Sequence, residues 1–418
     1  MSKTVDTAII GGGMITNDLI LPAVYHLQRA GVVGGIHVCA LNNQPLTILQ
    51  DNPEIRDAFP GQDFTPWPDM DQPPDRNYPE IYKEALEAMP PYSVAIIALP
   101  DQIHYQVVME ALERNMHVLC VKPLVLTYEH SVEIERTARE KGLFVGVEYH
   151  KRFDRRSLVA RQACQTGKVG EFVMGEAKMI EPYYYRNSNF QNWFTTDQTD
   201  PFTYVGCHYV DLVNFITGLK PVSVSVAGVI GKFPNGNEGY MWANGRVRFE
   251  NDALLNVTDG LGYPDAGAGP NEQGLSMFFE GDGAAGIIKH DDQFRGVIHS
   301  YPNVPENGGA QCKFVNPDFY RLVSWEGEGL KPVGYGFDSI AATINTVHRM
   351  ESVIAEEKSG DALQYRQKII DEADAKGIIA TPKNSAMNAL VMEAARMSIV
   401  RDGANVQIVY GDAPHVTL

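Results

Sequence analysis

The sequence predicts an α/β chain in two parts. An N-terminal domain over residues 1–148 carries a doubly wound parallel sheet, and an α+β domain over 149–418 carries a large, mostly antiparallel open sheet. Three observations carry this. Short apolar runs alternate with helical patterns through the first 150 residues, as parallel strands joined by crossover helices require. Beyond that point alternating strand-like runs separated by turn signals predominate. The length, 418 residues, is more than twice that of a usual single domain.

The first strand is Thr7–Ile10, ending in Gly11-Gly12-Gly13; the others expected in this half are Ile36–Leu41, Val94–Leu99, Val118–Val121 and Phe144–Val147. Helical patterns cover Glu80–Ala88, Tyr105–Asn115 and Tyr128–Lys141, whereas 60–80, rich in Pro and Asp, reads as a loop. In the second half the expected strands are Val222–Val229, Gly245–Phe249, Ala253–Val257, Leu275–Phe279 and Ala285–Ile288. Turns such as Pro234-Asn235-Gly236 and Glu280-Gly281-Asp282-Gly283 separate them, with Gly- and Pro-rich loops at 260–275 and 300–310. Helices return at Ser339–Glu357 and Ser385–Arg401, before a short final strand at Val406–Val409.

Composition narrows the function. Apolar residues are 44%, aromatic 10% and charged 21%, a globular balance. Lys plus Arg number 35 against 52 Asp plus Glu, a formal charge of -17, which argues against a nucleic-acid partner because phosphate binding relies on basic side chains. No run approaches the ~18 apolar residues of a membrane span, and no secretory signal is visible, so no membrane partner and a cytoplasmic location are expected. Five dispersed cysteines (39, 120, 164, 207, 312) read as reduced thiols. No metal is expected, since neither HxxxH, HExxH nor DxDxDG occurs.

Gly11-x-Gly13-x-x-Thr16 follows a strand and precedes a helical pattern, the context of a dinucleotide fingerprint. Gly11 permits the turn and Gly13 lets backbone approach a pyrophosphate. The helix start at Met14 and Ile15 supplies N–H groups. Thr16 replaces the third glycine and Pro22 bends or restarts the helix, so a plain strand-to-helix turn is the competing reading. The second strand ends at Asn42, where an acidic ribose reader is usual. Asn can bond a hydroxyl without repelling a 2′-phosphate, and no Arg follows immediately; NAD is the expected cofactor, with NADP not excluded.

Leu99-Pro100-x-x-x-His104 and Val121-Lys122-Pro123 close two further strands, and ligands of open α/β sheets lie at such carboxyl ends. These segments, through Leu99, Pro100, His104, Val121 and Lys122, are expected to face the cofactor. An ammonium at Lys122 can stabilise the oxygen of an alcohol becoming a carbonyl; an ordinary solvated lysine is the alternative.

The succession of glycine turn, LPDxxH, HVLCVKPL, Gly170-Glu171 and Gly206-Cys207-His208-Tyr209-Val210-Asp211 resembles the Gfo/Idh/MocA oxidoreductases over most of the chain. The resemblance implies a Rossmann domain, a second domain whose open sheet carries subunit contacts in a homo-oligomer (dimer or tetramer), and pyridine-nucleotide redox chemistry on sugars, cyclitols or related polyols. It puts Lys122 and His208 in the catalytic positions. This chain departs from the family pattern at Val121, usually Glu; at Tyr204, often Asp; and at Asn42.

Tyr204, His208 and Asp211 can share one helical face. A neutral imidazole at His208 can take a hydroxyl proton as hydride leaves. Tyr204 either passes a proton or binds a sugar hydroxyl; Asp211, counted among the substrate-binding candidates, either orients the imidazole or caps a polar face. The stretch Glu181 to Phe194 is dense in aromatic and amide groups, and Tyr184 and Trp193 are its substrate-binding candidates against a loop packed on its own domain or at a subunit contact. Arg152 stands either near the interdomain cleft or in an internal salt bridge. The expected function is an NAD-dependent dehydrogenase acting on a secondary hydroxyl of a sugar, sugar acid or cyclitol. A redox glycosidase or lyase working through a transient 3-keto sugar, and a non-catalytic nucleotide-sensing regulator, are its rivals.

Overall fold

The computed structural model describes residues 4–267, 271–291, 298–300, 318–356 and 361–418. Most of the loop expected at 300–310, part of the one at 260–275, Cys312 and Glu357 lie outside these.

Two compact units divide the chain. The first comprises residues 1–124, 129–153 and 318–384. Its strands are β1 (Val5–Ile10), β2 (Val33–Cys39), β3 (Thr65–Trp67), β4 (Val94–Ile97), β5 (His117–Val121) and β6 (Val145–Glu148), all parallel, in the order β3-β2-β1-β4-β5-β6. The central strands are continuous apolar runs because both faces are covered. Crossover helices are α1 (Leu21–Arg29), α2 (Asn43–Asp51), α3 (Pro53–Ala58), α4 (Ile81–Glu87), α5 (His104–Glu113) and α6 (Tyr128–Lys141). The strand order reverses between β1 and β4, which opens a crevice at their carboxyl ends.

Strand β3 falls inside the segment expected to be loop. It contains Pro66 and is followed by Pro68, which an edge strand tolerates because one of its sides carries no ladder. A larger difference concerns residues 318–384, which sequence order attaches to the second domain. They return to the first unit: Ile340, Ile344, Val347 and Met350 are fully buried in one core with Ile9, Leu19, Val24 and Ile96.

The second unit holds residues 125–128, 154–317 and 385–418. After α7 (Arg155–Gln165), its strands are β7 (Glu171–Pro182), β8 (Pro221–Lys232), β9 (Glu238–Phe249), β10 (Leu254–Tyr263), β11 (Glu272–Gly281), β12 (Ala284–Asp291) and β13 (Ile298–Ser300). A small pair in the first unit, β14 (Arg321–Val323) and β15 (Lys331–Val333), intervenes before β16 (Val406–Val409) and β17 (His415–Thr417) close the chain. The described sheet runs β13-β12-β11-β7-β10-β9-β8-β16-β17 and is antiparallel except where β10 lies parallel to β7. Helices α8 (Cys207–Thr217) and α11 (Ala386–Ile399) belong to this unit, and α9 (Tyr335–Glu356) and α10 (Ala362–Lys376) to the first. Strand β7 escaped the sequence reading because its last four residues, Met179 to Pro182, are all buried, so the alternation fades where the aromatic stretch begins.

Candidate active site

In the first unit the glycine turn is built as its residues require. Gly11 has φ +120°, and a Cβ there would sit 2.0 Å from the Ala98 carbonyl oxygen, so only glycine fits. Its N–H donates to Cys39 O at 2.8 Å, joining the turn to the end of β2. Thr16 takes over from the missing third glycine: its buried hydroxyl donates to Gly11 O at 2.5 Å and closes the turn on itself. Thr16 and Asn17 N–H both donate to Gly13 O at 3.1 Å, so Met14 and Ile15 precede the first bonded amides. A single π-turn, Thr16–Ile20, follows; Leu21 N–H reaches back five residues to Thr16 O, and α1 restarts with Pro22 in its first turn. The wider turn accommodates the proline ring, which an unbroken α-helix would press against a carbonyl four residues earlier.

The carboxyl ends of β4 and β5 meet beside it. His104 is fully buried at the start of α5, with Nδ1 2.8 Å from Pro123 O and Nε2 2.8 Å from Leu99 O. The ring thereby fastens the Leu99-Pro100 segment to the segment that carries Lys122. Val121 and Lys122 are half-buried, and the Lys122–Pro123 peptide is cis. Asn42 caps α2, accepting from Gln44 N–H at 3.3 Å, while its amide donates to Asn77 Oδ1 at 2.8 Å. Arg152 is buried; its Nη1 donates to Asn384 Oδ1 at 3.0 Å and Gly377 O at 3.3 Å within this unit.

In the second unit a π-turn, Phe202–Gly206, leads straight into α8. Asp200 starts it, accepting from Thr203 N–H at 3.0 Å and Thr203 Oγ1 at 2.9 Å, and burial pushes its carboxyl up despite those bonds. Because Tyr204 lies in the π-turn, the α-helical spacing that put it on one face with His208 does not hold as drawn. The half-buried Tyr204 ring instead meets Phe190, Trp193 and Phe194 at centroid distances of 5.3, 5.7 and 5.6 Å. His208 and Asp211 are both buried in α8, and Asn388 of α11 donates to Asp211 Oδ1 at 2.7 Å. Trp193 belongs to the packed cluster, whereas Tyr184 is 45% exposed.

Two buried carboxylates to which the sequence reading gave no role lie in this unit, Asp259 beside the turn before α8 and Glu181 at the end of β7. A Cβ on Gly206 would lie 2.4 Å from Asp259 Oδ2, so glycine lets β10 bring a buried carboxylate against the turn before His208. Glu181, buried at the end of β7, lies 3.4 Å from Asn271 Nδ2, and burial together with its charge raises the Tyr185 phenol. Neither sits in a recognisable motif; only the register of β7, β10 and β11 reveals them. Among the described residues no group of three His, Cys, Asp or Glu could hold a metal, and no helix is long and apolar enough to cross a membrane.

The first unit fits a dinucleotide. Gly13 is exposed with open space where a Cβ would project, so a pyrophosphate can approach its backbone, and the adjoining helix start offers N–H donors and a positive dipole end.

Comparison with known proteins agrees. A model of the oxidoreductase family GFO_IDH_MocA, NAD-binding Rossmann fold, matches residues 5–149, and a GFO/IDH/MocA C-terminal domain model matches 158–266. D-glucoside 3-dehydrogenase of Escherichia coli is 28% identical over 134 residues, 31% of this chain and 37% of its own length. Inositol 2-dehydrogenase of Corynebacterium glutamicum is 27% identical over 230 residues, 54% of this chain and 58% of its own. The chain therefore covers less than two thirds of either relative. Among solved structures, levoglucosan dehydrogenase in complex with NADH matches with a TM-score of 0.64 at 15% identity, covering 97% of this chain and 99% of that one, a likeness of fold. With both domain models in sequence order, this chain belongs to the Gfo/Idh/MocA family of NAD-binding oxidoreductases.

Proposed function

We propose that the chain is an NAD-dependent dehydrogenase interconverting a secondary hydroxyl and a ketone on a sugar, sugar acid or cyclitol. One observation carries the reading: the glycine cradle after β1, the Leu99-Pro100 segment after β4 and Lys122 after β5 share the carboxyl edge of three adjacent parallel strands. Bound NAD supplies a hydride acceptor at that edge.

The protein's part is to hold the alcohol and move its proton. The Lys122 ammonium donates to the substrate oxygen and stabilises charge that develops on it. His208 takes the hydroxyl proton, and a preorganised base of this kind contributes roughly 10²–10⁴-fold. Asn388 fixes Asp211 one turn along α8 and so steadies the helix that presents the imidazole. Tyr184, Trp193, Tyr204 and Arg152 remain candidates for the substrate wall, with Trp193, Tyr204 and Arg152 already engaged in packing or hydrogen bonds of their own units. A dimer or tetramer through the open sheet completes the reading.

The test is to mix the protein with NAD and a panel of sugars, sugar acids and cyclitols, following reduced-nicotinamide absorbance together with product analysis. Turnover of a polyol to its keto product supports the proposal. Release of a sugar from a glycoside without NADH accumulation redirects it to redox-assisted cleavage, and no reaction on any polyol refutes it.

A further inference from the structure

The carboxyl end of β2, where a ribose reader is expected, carries more than Asn42. A loop through residues 69–80 folds back onto it. Tyr78 N–H donates to Leu41 O at 2.7 Å, Asn42 Nδ2 to Asn77 Oδ1 at 2.8 Å, and Asn43 Nδ2 to Gln72 O at 2.5 Å. The Tyr78 hydroxyl donates to Gln72 Oε1 at 2.9 Å, so the loop is tied at both ends. Arg76 lies between these ties, exposed, its guanidinium carbon 4.9 Å from the centroid of the Tyr78 ring. It appears in none of the ion pairs among the described residues. The glycine turn meets the same corner: Gly11 N–H donates to Cys39 O, and Pro45 Cβ is 3.1 Å from where a Gly12 Cβ would stand.

An acidic residue at this corner binds a free 2′-hydroxyl and repels a 2′-phosphate. Asn42 carries no charge, and its side chain is committed to the α2 cap and to Asn77. A guanidinium held on an aromatic face presents the planar donor fork that phosphate oxygens accept. Sequence order hid this, because the arginine arrives 34 residues after Asn42.

We propose that Arg76 is a 2′-phosphate reader and that this protein binds NADP as well as NAD. The inference rests on the glycine turn binding a dinucleotide and goes beyond the cofactor choice of the proposed function. Asp69, Asp71, Asp75 and Glu80 lie on the same loop and oppose a phosphate. Asp75, next to Arg76, is too near for salt to screen, and its repulsion offsets part of what the guanidinium's direct contact gains. The balance is dual specificity, not exclusive NADP use.

The experiment is a titration of the full chain with NADH and NADPH by nicotinamide fluorescence, and with ADP-ribose and 2′-phospho-ADP-ribose by calorimetry. Wild type is expected to bind NADPH within ~10-fold of NADH. Arg76→Gln should weaken NADPH and 2′-phospho-ADP-ribose ~10-fold or more, and NADH and ADP-ribose less than ~3-fold, a difference of one charge-assisted contact. Asn42→Asp should weaken NADPH while leaving NADH unchanged or tighter. An absence of NADPH binding where NADH binds overturns the proposal, as does an equal loss of both dinucleotides in Arg76→Gln. Absence of binding by both would instead bring down the reading of the glycine turn itself.

Discussion

Replacing Arg366 by Met should destabilise the first unit by about 3–5 kcal/mol, the usual cost of removing one partner from a buried ion pair. Glu351 of α9 is 3% exposed and receives Nε and Nη2 of Arg366 at 2.7 Å each, a bidentate grip. Phe144 N–H donates to His117 Nδ1 at 2.9 Å, which leaves the His117 proton on Nε2, 3.3 Å from Glu351 Oε1. The guanidinium also lies 3.7 Å above the Tyr92 ring. Without Arg366, a buried carboxylate keeps only the imidazole N–H. Burial alone would raise that carboxyl, but the hydrogen bonds from Arg366 and His117 and the guanidinium charge outweigh it and hold it at about 2 against an ordinary 4.5. The stabilisation is therefore complete above about pH 4.5 and is lost as pH falls toward 2. Burial also lowers His117 below 6.5, so its contribution is present above 6.5 and declines on acidification below that. Urea unfolding followed by circular dichroism at pH 7 and across pH 3–7 is the assay. The double variant Glu351→Met with Arg366→Met should recover most of the loss, because an apolar pair leaves no charge stranded. A single variant costing under ~1 kcal/mol, or a double variant no better than the single, would refute this account of how residues 318–384 are held.

Further outcomes follow from the site. Lys122→Ala should lower kcat by about 10²–10³-fold while leaving NADH binding measurable; full turnover would remove Lys122 from the chemistry. Gly13→Ala should weaken NADH binding without moving Tm, because its Cβ meets open space, whereas Gly11→Ala should lower both through the collision with Ala98 O. Asn388→Leu leaves the buried Asp211 with one fewer donor and should cost about 1–3 kcal/mol of stability in a melt, with a lower kcat if α8 positions His208. Val229 and Ile230, 60% and 54% exposed on β8, suit a subunit contact; changing both to Lys should shift the mass in light scattering toward monomer if the sheet is the interface.

Local signals in the sequence determined a good deal. The apolar runs of β1, β4 and β5 could be read because both faces of those strands are covered, and the glycine turn because its positive φ admits no other residue. The helix Tyr128–Lys141 coincides with its polar-faced pattern, and Val406–Val409 with its alternation. Asn42, Lys122 and His208 could be singled out because strand ends and short motifs have fixed spacing.

Tertiary structure decided what depends on contacts between distant segments. Residues 318–384 rejoin the first unit because Ile340, Ile344 and Val347 find their apolar partners there, and periodicity says that a helix is amphipathic without saying which surface covers it. The π-turns at Thr16 and Phe202 rest on hydrogen bonds that reach back five residues and leave no periodic mark, so Tyr204 turned into the aromatic cluster unannounced. Thr16 standing in for a glycine, Asp259 reaching Gly206 and the loop that carries Arg76 folding back onto the end of β2 likewise arise only when the chain is closed in space. A sequence lists each residue's chemistry and its near neighbours. Which charge meets which surface is set by packing between segments far apart along the chain.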